Sequence, residues 1–189
     1  MKIVIIYHSG FGHTKLVAET IATGAKDAGA VVTLLTTKEA MGNLSFLQEA
    51  DTIVFGSPTY FGNVSAEFKT FMESTGAIWA KHQWKNKLAA GFTNSSSTNG
   101  DKLNTLNSLS LFAAQHGMLW IPLGLLPKYD AEGNQLREHN GMASYLGLMT
   151  QSKNSYTFHA PVDLTSATLF GQHIARLTNQ FSKIKSNTL

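Results

Sequence analysis

The sequence contains no cysteine, which excludes disulfides, thiolate catalysis, Cys-ligated zinc and iron–sulfur clusters together, and leaves the redox compartment open. Charge is scarce as well. Only 14% of residues are charged, and Lys+Arg 15 against Asp+Glu 12 leaves a formal +3, well below the roughly one quarter of charged residues in an average domain. No Lys/Arg run is interleaved with aromatics, so nucleic acid is not an expected partner. No apolar stretch approaches the roughly 18 residues of a membrane span, and Met1 to Tyr7 lacks the apolar length and small-residue cleavage site of an export signal. The expectation is a cytoplasmic protein with no membrane span. No His/Asp/Glu cluster has ligand spacing, so no metal is expected.

What is present suffices for one core. A chain of 189 residues, 43% of them hydrophobic, fits a single domain over residues 1–189. Apolar, β-branched runs alternate with helix-like segments, the pattern of a parallel sheet covered on both faces. The strands read as Lys2–Tyr7, Val31–Thr36, Asp51–Ser57, Lys87–Thr93 and Met118–Pro122. Leu16, Val17, Ile21 and Ala25 mark a first helix that Gly29 terminates. Further helices read as Ala66–Ser74, Leu103–Gln115 and Leu164–Lys185, the last with Leu169, Ile174, Leu177, Phe181 and Ile184 inward. The stretch Leu123–Pro161 has no sustained period and is expected to be a long loop region, packed because of its apolar content, that covers an active site or supports assembly.

In an open parallel sheet, ligands bind beyond the carboxyl ends of the strands. Three segments there are unusual: Ser9-Gly10-Phe11-Gly12-His13-Thr14, Ser57-Pro58-Thr59-Tyr60-Phe61-Gly62-Asn63 and Asn94-Ser95-Ser96-Ser97-Thr98-Asn99-Gly100. All lack acids and are rich in hydroxyls, amides or glycines. The first suits a phosphate at a helix N-terminus, where the dipole and unpaired amides favour negative charge; the plainer alternative is a cap by Ser9 or Thr14. His13 reads as a neighbour of phosphate rather than a base. The second segment could frame a flat heterocycle, with Tyr60 or Phe61 offering an aromatic edge or face; alternatively it is a turn with Phe61 in the core. The third could be a plain solvated loop. Converging on one edge, the three have the layout of a mononucleotide site.

Several rivals fail on residues. A receiver domain needs acids at the ends of strands one and three, where Tyr7, His8, Gly56 and Ser57 stand. No G-x-S-x-G follows a strand. Lys is missing before Thr14 for a Walker loop, and the third glycine of a dinucleotide fingerprint is absent. One phosphate loop without a second fingerprint favours a mononucleotide over a dinucleotide.

These residues resemble the flavodoxin-like FMN proteins, and within them the WrbA-like NAD(P)H:quinone oxidoreductases. The resemblance runs from Met1 to about Pro122. It is carried by Tyr7 to Thr14, Gly56 to Asn63, Thr75-Gly76-Ala77-Ile78-Trp79-Ala80 and His116-Gly117-Met118, and more loosely by Asn140 to Gly147. It implies a flavodoxin-like five-stranded parallel sheet with helices on both faces. Ser9, Gly10, Phe11, Gly12, His13 and Thr14 would then hold the FMN phosphate. Thr59, Tyr60 and Phe61, followed by Gly62, would line the ring. Ser95, Ser96, Ser97, Thr98, Asn99 and Gly100, opened by Asn94, would border it from the other side. Taken alone, Trp79 reads as a core aromatic and His116 as a structural histidine; the resemblance implies instead that Trp79 walls the substrate pocket and His116 reaches the flavin. Two departures are Tyr60, where many relatives carry Arg, and the serines of the third segment, where relatives have more glycine.

The implied activity is two-electron reduction of a quinone, or another small redox-active acceptor, by NADH or NADPH. No side chain is then required as a catalytic base. A homodimer or homotetramer is implied, with neighbouring subunits walling each flavin pocket. The alternative is a flavodoxin-type carrier docking on protein partners; such carriers are usually strongly acidic, and the +3 charge and acid-free loops argue against it.

Overall fold

A computed structural model describes residues 1–153 and 160–187. Its first strand, β1 (Lys2–Tyr7), sends Ile3, Ile5 and Tyr7 to one face and Val4 and Ile6 to the other, all buried. Such two-sided burial follows from the period-2 geometry of a strand covered on both faces. α1 (His13–Asp27) packs Val17, Ala18, Ile21 and Ala25 onto the first face. It ends at Gly29, whose φ of 87° and 2.8 Å hydrogen bond to the Lys26 carbonyl need a residue without a side chain.

β2 (Val31–Thr36) runs into α2 (Thr37–Met41), where Thr36 and Glu39 form a reciprocal capping box. After a 3-10 turn, Phe46–Glu49, β3 (Thr52–Tyr60) and β4 (Asn63–Val64) lead to α3 (Ala66–Ser74) and α4 (Gly76–Ala80). β5 (Leu88–Ser95) and α5 (Lys102–Gln115) follow. Both β3 and β5 run past the ends expected from sequence, so parts of the polar segments are strand ends held by the sheet ladder.

The parallel sheet has the order β2-β1-β3-β5-β6, where β6 is Leu119–Trp120. The fold is the expected flavodoxin-like α/β architecture. The fifth position differs from a single strand, because two separate segments fill it. β6 pairs with Leu88 and Ala89, and β9 (Leu148–Gln151) pairs with Phe92 to Ser95 of the same strand. Residues 123–147 of the expected long loop therefore belong to an insertion inside an edge strand, which carries a small hairpin of β7 (Lys128–Tyr129) and β8 (Gln135–Leu136); Leu148–Gln151 is the second half of that strand, and residues 154–159 lie outside the described residues.

Two devices fasten the insertion. Trp120 Nε1 donates to the Leu146 carbonyl, and the buried Asn140 side chain bonds Leu125 and Ser144 while its amide donates to Ser166. Its packing is incomplete: Leu126, Tyr129 and Tyr145 are exposed.

α6 (Pro161–Asn187) lies beside α1. Ala167, Phe170, Ile174 and Ala175 are its fully buried apolar residues among those described, and Ile184, expected inward, is exposed. The second core, on the other face, centres on Phe55, Phe68, Phe71, Trp84 and Phe112, whose rings meet edge to face or tilted at 5.3 to 6.4 Å. Among the described residues no helix is long and apolar enough to cross a membrane.

Candidate functional site

The turn after β1 and the helix it opens form one wall of a cleft at the carboxyl edge of the sheet. Gly12 is the N-cap of α1 with φ 88°, and no side chain caps it there. Ser9 Oγ accepts the Lys15 amide at 3.2 Å, so the capping alternative is half realised: one amide of the first turn is taken internally. Gly10 lets Tyr60 approach closely, since an ideal Cβ there would stand 2.7 Å from Tyr60 Oη and shift the tip of that ring. Tyr60 thus folds over the turn, and partial burial raises its phenol pKa.

The second wall comes from β3. Thr59 Oγ1 bonds Thr93 Oγ1 at 2.7 Å and Thr105 Oγ1 at 2.8 Å in a buried trio, so this side chain works beneath the cleft. Phe61 is fully exposed and has φ 47°. A bulky residue in the left-handed region persists only where the surroundings impose it, and such strain gathers at ligand sites.

The third wall is the loop after β5, tied to β9. Asn94 Nδ2 donates to Ser152 Oγ, Thr150 Oγ1 donates to Asn94 Oδ1, and Gln151 Nε2 donates to the Ser96 carbonyl at 2.8 Å. Gln151 is itself held through its amide by the Asp163 carboxylate of α6.

The resulting cleft has a volume of about 560 Å³, within the usual range for a small-molecule site. Of the residues singled out in sequence, Ser9, Gly10, Phe11, His13 and Thr14 line it from the first segment. Thr59, Tyr60, Phe61 and Gly62 line it from the second, and Asn94, Ser95, Ser96, Ser97 and Gly100 from the third. Gly12 sits within the first turn without lining the cleft, and Thr98 and Asn99 turn their carbonyls to Lys102 instead. Pro58 of the second segment also lines it, and Asp101 and Ser152 do so from outside the three segments. Asp101 corrects the reading of acid-free walls: it lies one residue past the segment, at the N-cap of α5. Ser152 could be found only by recognising Leu148–Gln151 as the rest of the edge strand. Among the described residues no lysine or arginine lines the cleft, so an anion there would draw on backbone amides, hydroxyls and the α1 dipole.

Trp79 and His116 are not brought to this cleft within the chain. α3 and α5 run from the carboxyl edge back to the amino edge of the sheet, and both residues sit at that far end. They line a separate groove of about 720 Å³, together with Met72, Leu111 and Phe112. Trp79 is half exposed, so it is not a core residue; His116 is 3% exposed. Within one chain the sheet's length separates His116 from the Ser9–Thr14 turn, so it does not reach this cleft.

Thr75 Oγ1 donates to the Met72 carbonyl and therefore accepts from His116 Nε2 at 3.0 Å, which leaves Nδ1 buried without a partner. The ring lies against Trp84 and Phe112, and burial lowers its pKa to about 4. The unfolded state protonates below 6.5 and the folded state does not. This stabilisation is therefore complete above pH 6.5 and lost as pH falls towards 4, amounting to roughly 2 kcal/mol by pH 5. Denaturant midpoints at pH 7 and pH 5 should show that fall, and His116→Leu should remove most of this component.

Among the described residues no group of three or more His, Asp or Glu could hold a metal. Residues 1–127 match the family model described as NADPH-dependent FMN reductase. The chain is 36% identical over 186 residues to Flavodoxin FldP of Pseudomonas aeruginosa, covering 95% of this chain and 97% of that protein. It is also 36% identical to a flavodoxin, WrbA-like protein of Agrobacterium tumefaciens, whose crystal structure superposes with a TM-score of 0.75 over 95% of this chain and 98% of that one. Oxidised Flavodoxin 1 from Bacillus cereus shares the fold at 17% identity, with a TM-score of 0.65 over 93% and 98% of the two chains.

Proposed function

The chain belongs to the NADPH-dependent FMN reductase family, and from that premise we propose that it binds FMN in the carboxyl-edge cleft and passes two electrons from NADPH or NADH to a quinone or similar small acceptor. The observation that carries this reading is the cleft itself: a helix N-terminus with a left-handed glycine cap, facing two polar loops and two exposed aromatics. FMN, when bound, supplies the redox chemistry, exchanging two electrons with each partner in turn. The chain's part is to bind and orient. The turn Ser9–Thr14 offers amides and hydroxyls to a phosphate, and Phe11 and Phe61, 75% and 109% exposed, offer flat apolar surface at the rim against which planar donors and acceptors can stack.

Trp79 enters through assembly. The groove between α3 and α5 leaves Trp79 and Leu111 exposed along its length, and such a surface suits a second copy of the chain in a closed homodimer or homotetramer. In that arrangement the Trp79 of one subunit would approach a neighbour's cleft, which gives the WrbA-like role of this residue a physical route.

The competing reading is a flavodoxin-type carrier, as one relative is named. The two separate on anaerobic mixing. FMN-loaded protein should lose its flavin colour on addition of NADPH or NADH alone and regain it with a quinone. Failure of both nucleotides, with reduction restored by a separate reductase protein, would establish the carrier. Light scattering across a dilution series, read beside quinone reduction, decides whether assembly completes the site: a fully active 20.5 kDa monomer would reject it.

A further inference from the structure

Lys102 breaks two local rules. It stands in the first turn of α5, where the helix dipole disfavours a cation, and it is 0% exposed, a burial that lysine tolerates only when its ammonium is satisfied. Residues that break local rules gather at functional sites. Here Nζ donates to the carbonyls of Ser97, Thr98 and Asn99 at 2.5, 2.9 and 3.3 Å. Those carbonyls belong to the loop that forms the third wall of the cleft. Burial lowers the Lys102 pKa to about 8, opposed by the charge of Asp163 in α6, so at pH 7 the cation outnumbers the neutral amine by about ten to one.

Peptide geometry carries the consequence outward. In a trans peptide the C=O and the following N–H point in opposite directions. Turning three successive carbonyls onto one ammonium therefore turns the amides of Thr98, Asn99 and Gly100 away from it. Gly100 lines the cleft, with φ 56° and no room for a Cβ beside Ser95 Oγ. The loop is thus held in one shape from inside, with a positive charge behind it and its electropositive amide side outward. Asp163 is the carboxylate that offsets this charge.

We propose that Lys102 is a positioning residue for the cleft: it fixes the third loop from within, and its enclosed charge favours the more electron-rich, reduced state of the ligand bound there. The second half rests on the reading of the cleft as an FMN site.

The test uses the full chain with Lys102→Met, Lys102→Arg and Asp163→Asn. NMR order parameters of the Thr98, Asn99 and Gly100 amides, measured without FMN, should fall below about 0.6 in Lys102→Met and stay near the parent in Lys102→Arg. Unchanged order parameters in Lys102→Met overturn the strut. In the FMN-loaded proteins, Lys102→Met should lower the preference for reduced over oxidised FMN about tenfold, which is about 30 mV more negative for a two-electron couple. Lys102→Arg should hold the parent value, and Asp163→Asn should shift it in the opposite direction, keeping the question open to measurement if the Met variant does not fold. A potential unmoved by either charge change, or moved the same way by both, overturns the electrostatic half. If the parent chain takes up no FMN, the functional reading fails, while the order parameters still decide the strut.

Discussion

Gly12→Glu should abolish FMN binding, raising the Kd by about a thousandfold or more, with the circular dichroism of the fold unchanged. Gly12 caps α1 with φ 88°, and an ideal Cβ there meets nothing within 4 Å. A side chain therefore has room, and its cost to the fold is the left-handed backbone, about 1–2 kcal/mol. A carboxylate at a helix N-terminus is itself favourable with the dipole, so the chain should fold. The same carboxylate would stand in the turn proposed to hold the phosphate and repel it, with no lysine or arginine among the described residues of the cleft walls to offset the charge. A thousandfold loss corresponds to about 4 kcal/mol, within reach of a displaced charge-assisted contact set plus repulsion. Gly12→Asn is the control, because asparagine tolerates the left-handed region and carries no charge; it should bind FMN within about tenfold of the parent. Flavin fluorescence titration reads both. A Gly12→Glu protein that purified with full flavin would place the phosphate elsewhere.

The residues legible in sequence were those whose chemistry is local. The β-branched run of β1, the Val17, Ile21 and Ala25 face of α1 and the glycine that ends it each declare a conformation within one or two turns. The polar turn Ser9–Thr14 and the loop from Asn94 mark themselves in the same way as candidate walls of one cleft, because hydroxyls, amides and glycines gather there at strand ends.

What stayed hidden depends on partners distant in the chain. The edge strand is split, so Leu148–Gln151 reads as part of a loop until Phe92–Ser95 is seen beside it, and Ser152 is lost with it. His116 sits next to a buried strand in sequence, yet which end of the sheet it occupies follows from the direction of α5. Lys102 looks like a misplaced helix cation until its three carbonyls are found. Ile184 follows the helical period of α6 correctly, but α1 is only 15 residues long, and the tail of a 27-residue helix outruns the surface that would cover it.

That same helix pair holds the largest stability effect. An ideal Cβ on Gly24 of α1 would lie 2.1 Å from the Thr168 carbonyl oxygen, and one on Gly171 of α6 would lie 2.1 Å from that of Ile21. Each glycine gives the other helix's backbone its place. Glycine in a helix interior ordinarily costs about 1 kcal/mol relative to alanine, so Gly→Ala in an exposed helix stabilises. At these two positions the sign should reverse. The neighbour is backbone, which cannot rotate away, so the helices must separate and uncover Ile21, Phe170 and Ile174, all essentially buried now. Overpacking of this kind costs about 1–3 kcal/mol. Gly24→Ala and Gly171→Ala should each lose about 2 kcal/mol and Gly24→Leu about 4, lowering Tm by roughly 10 °C for the last in a chain of this size. The effect should also reach the cleft, because Asp163 on α6 holds the Gln151 amide and Gln151 holds the Ser96 carbonyl. Helix separation therefore slackens the third wall, and FMN affinity should fall in the same order as stability. Urea midpoints that rise in the alanine variants would show that the helices do not touch at these glycines, and affinity that stayed constant while midpoints fell would show that the wall is held without α6.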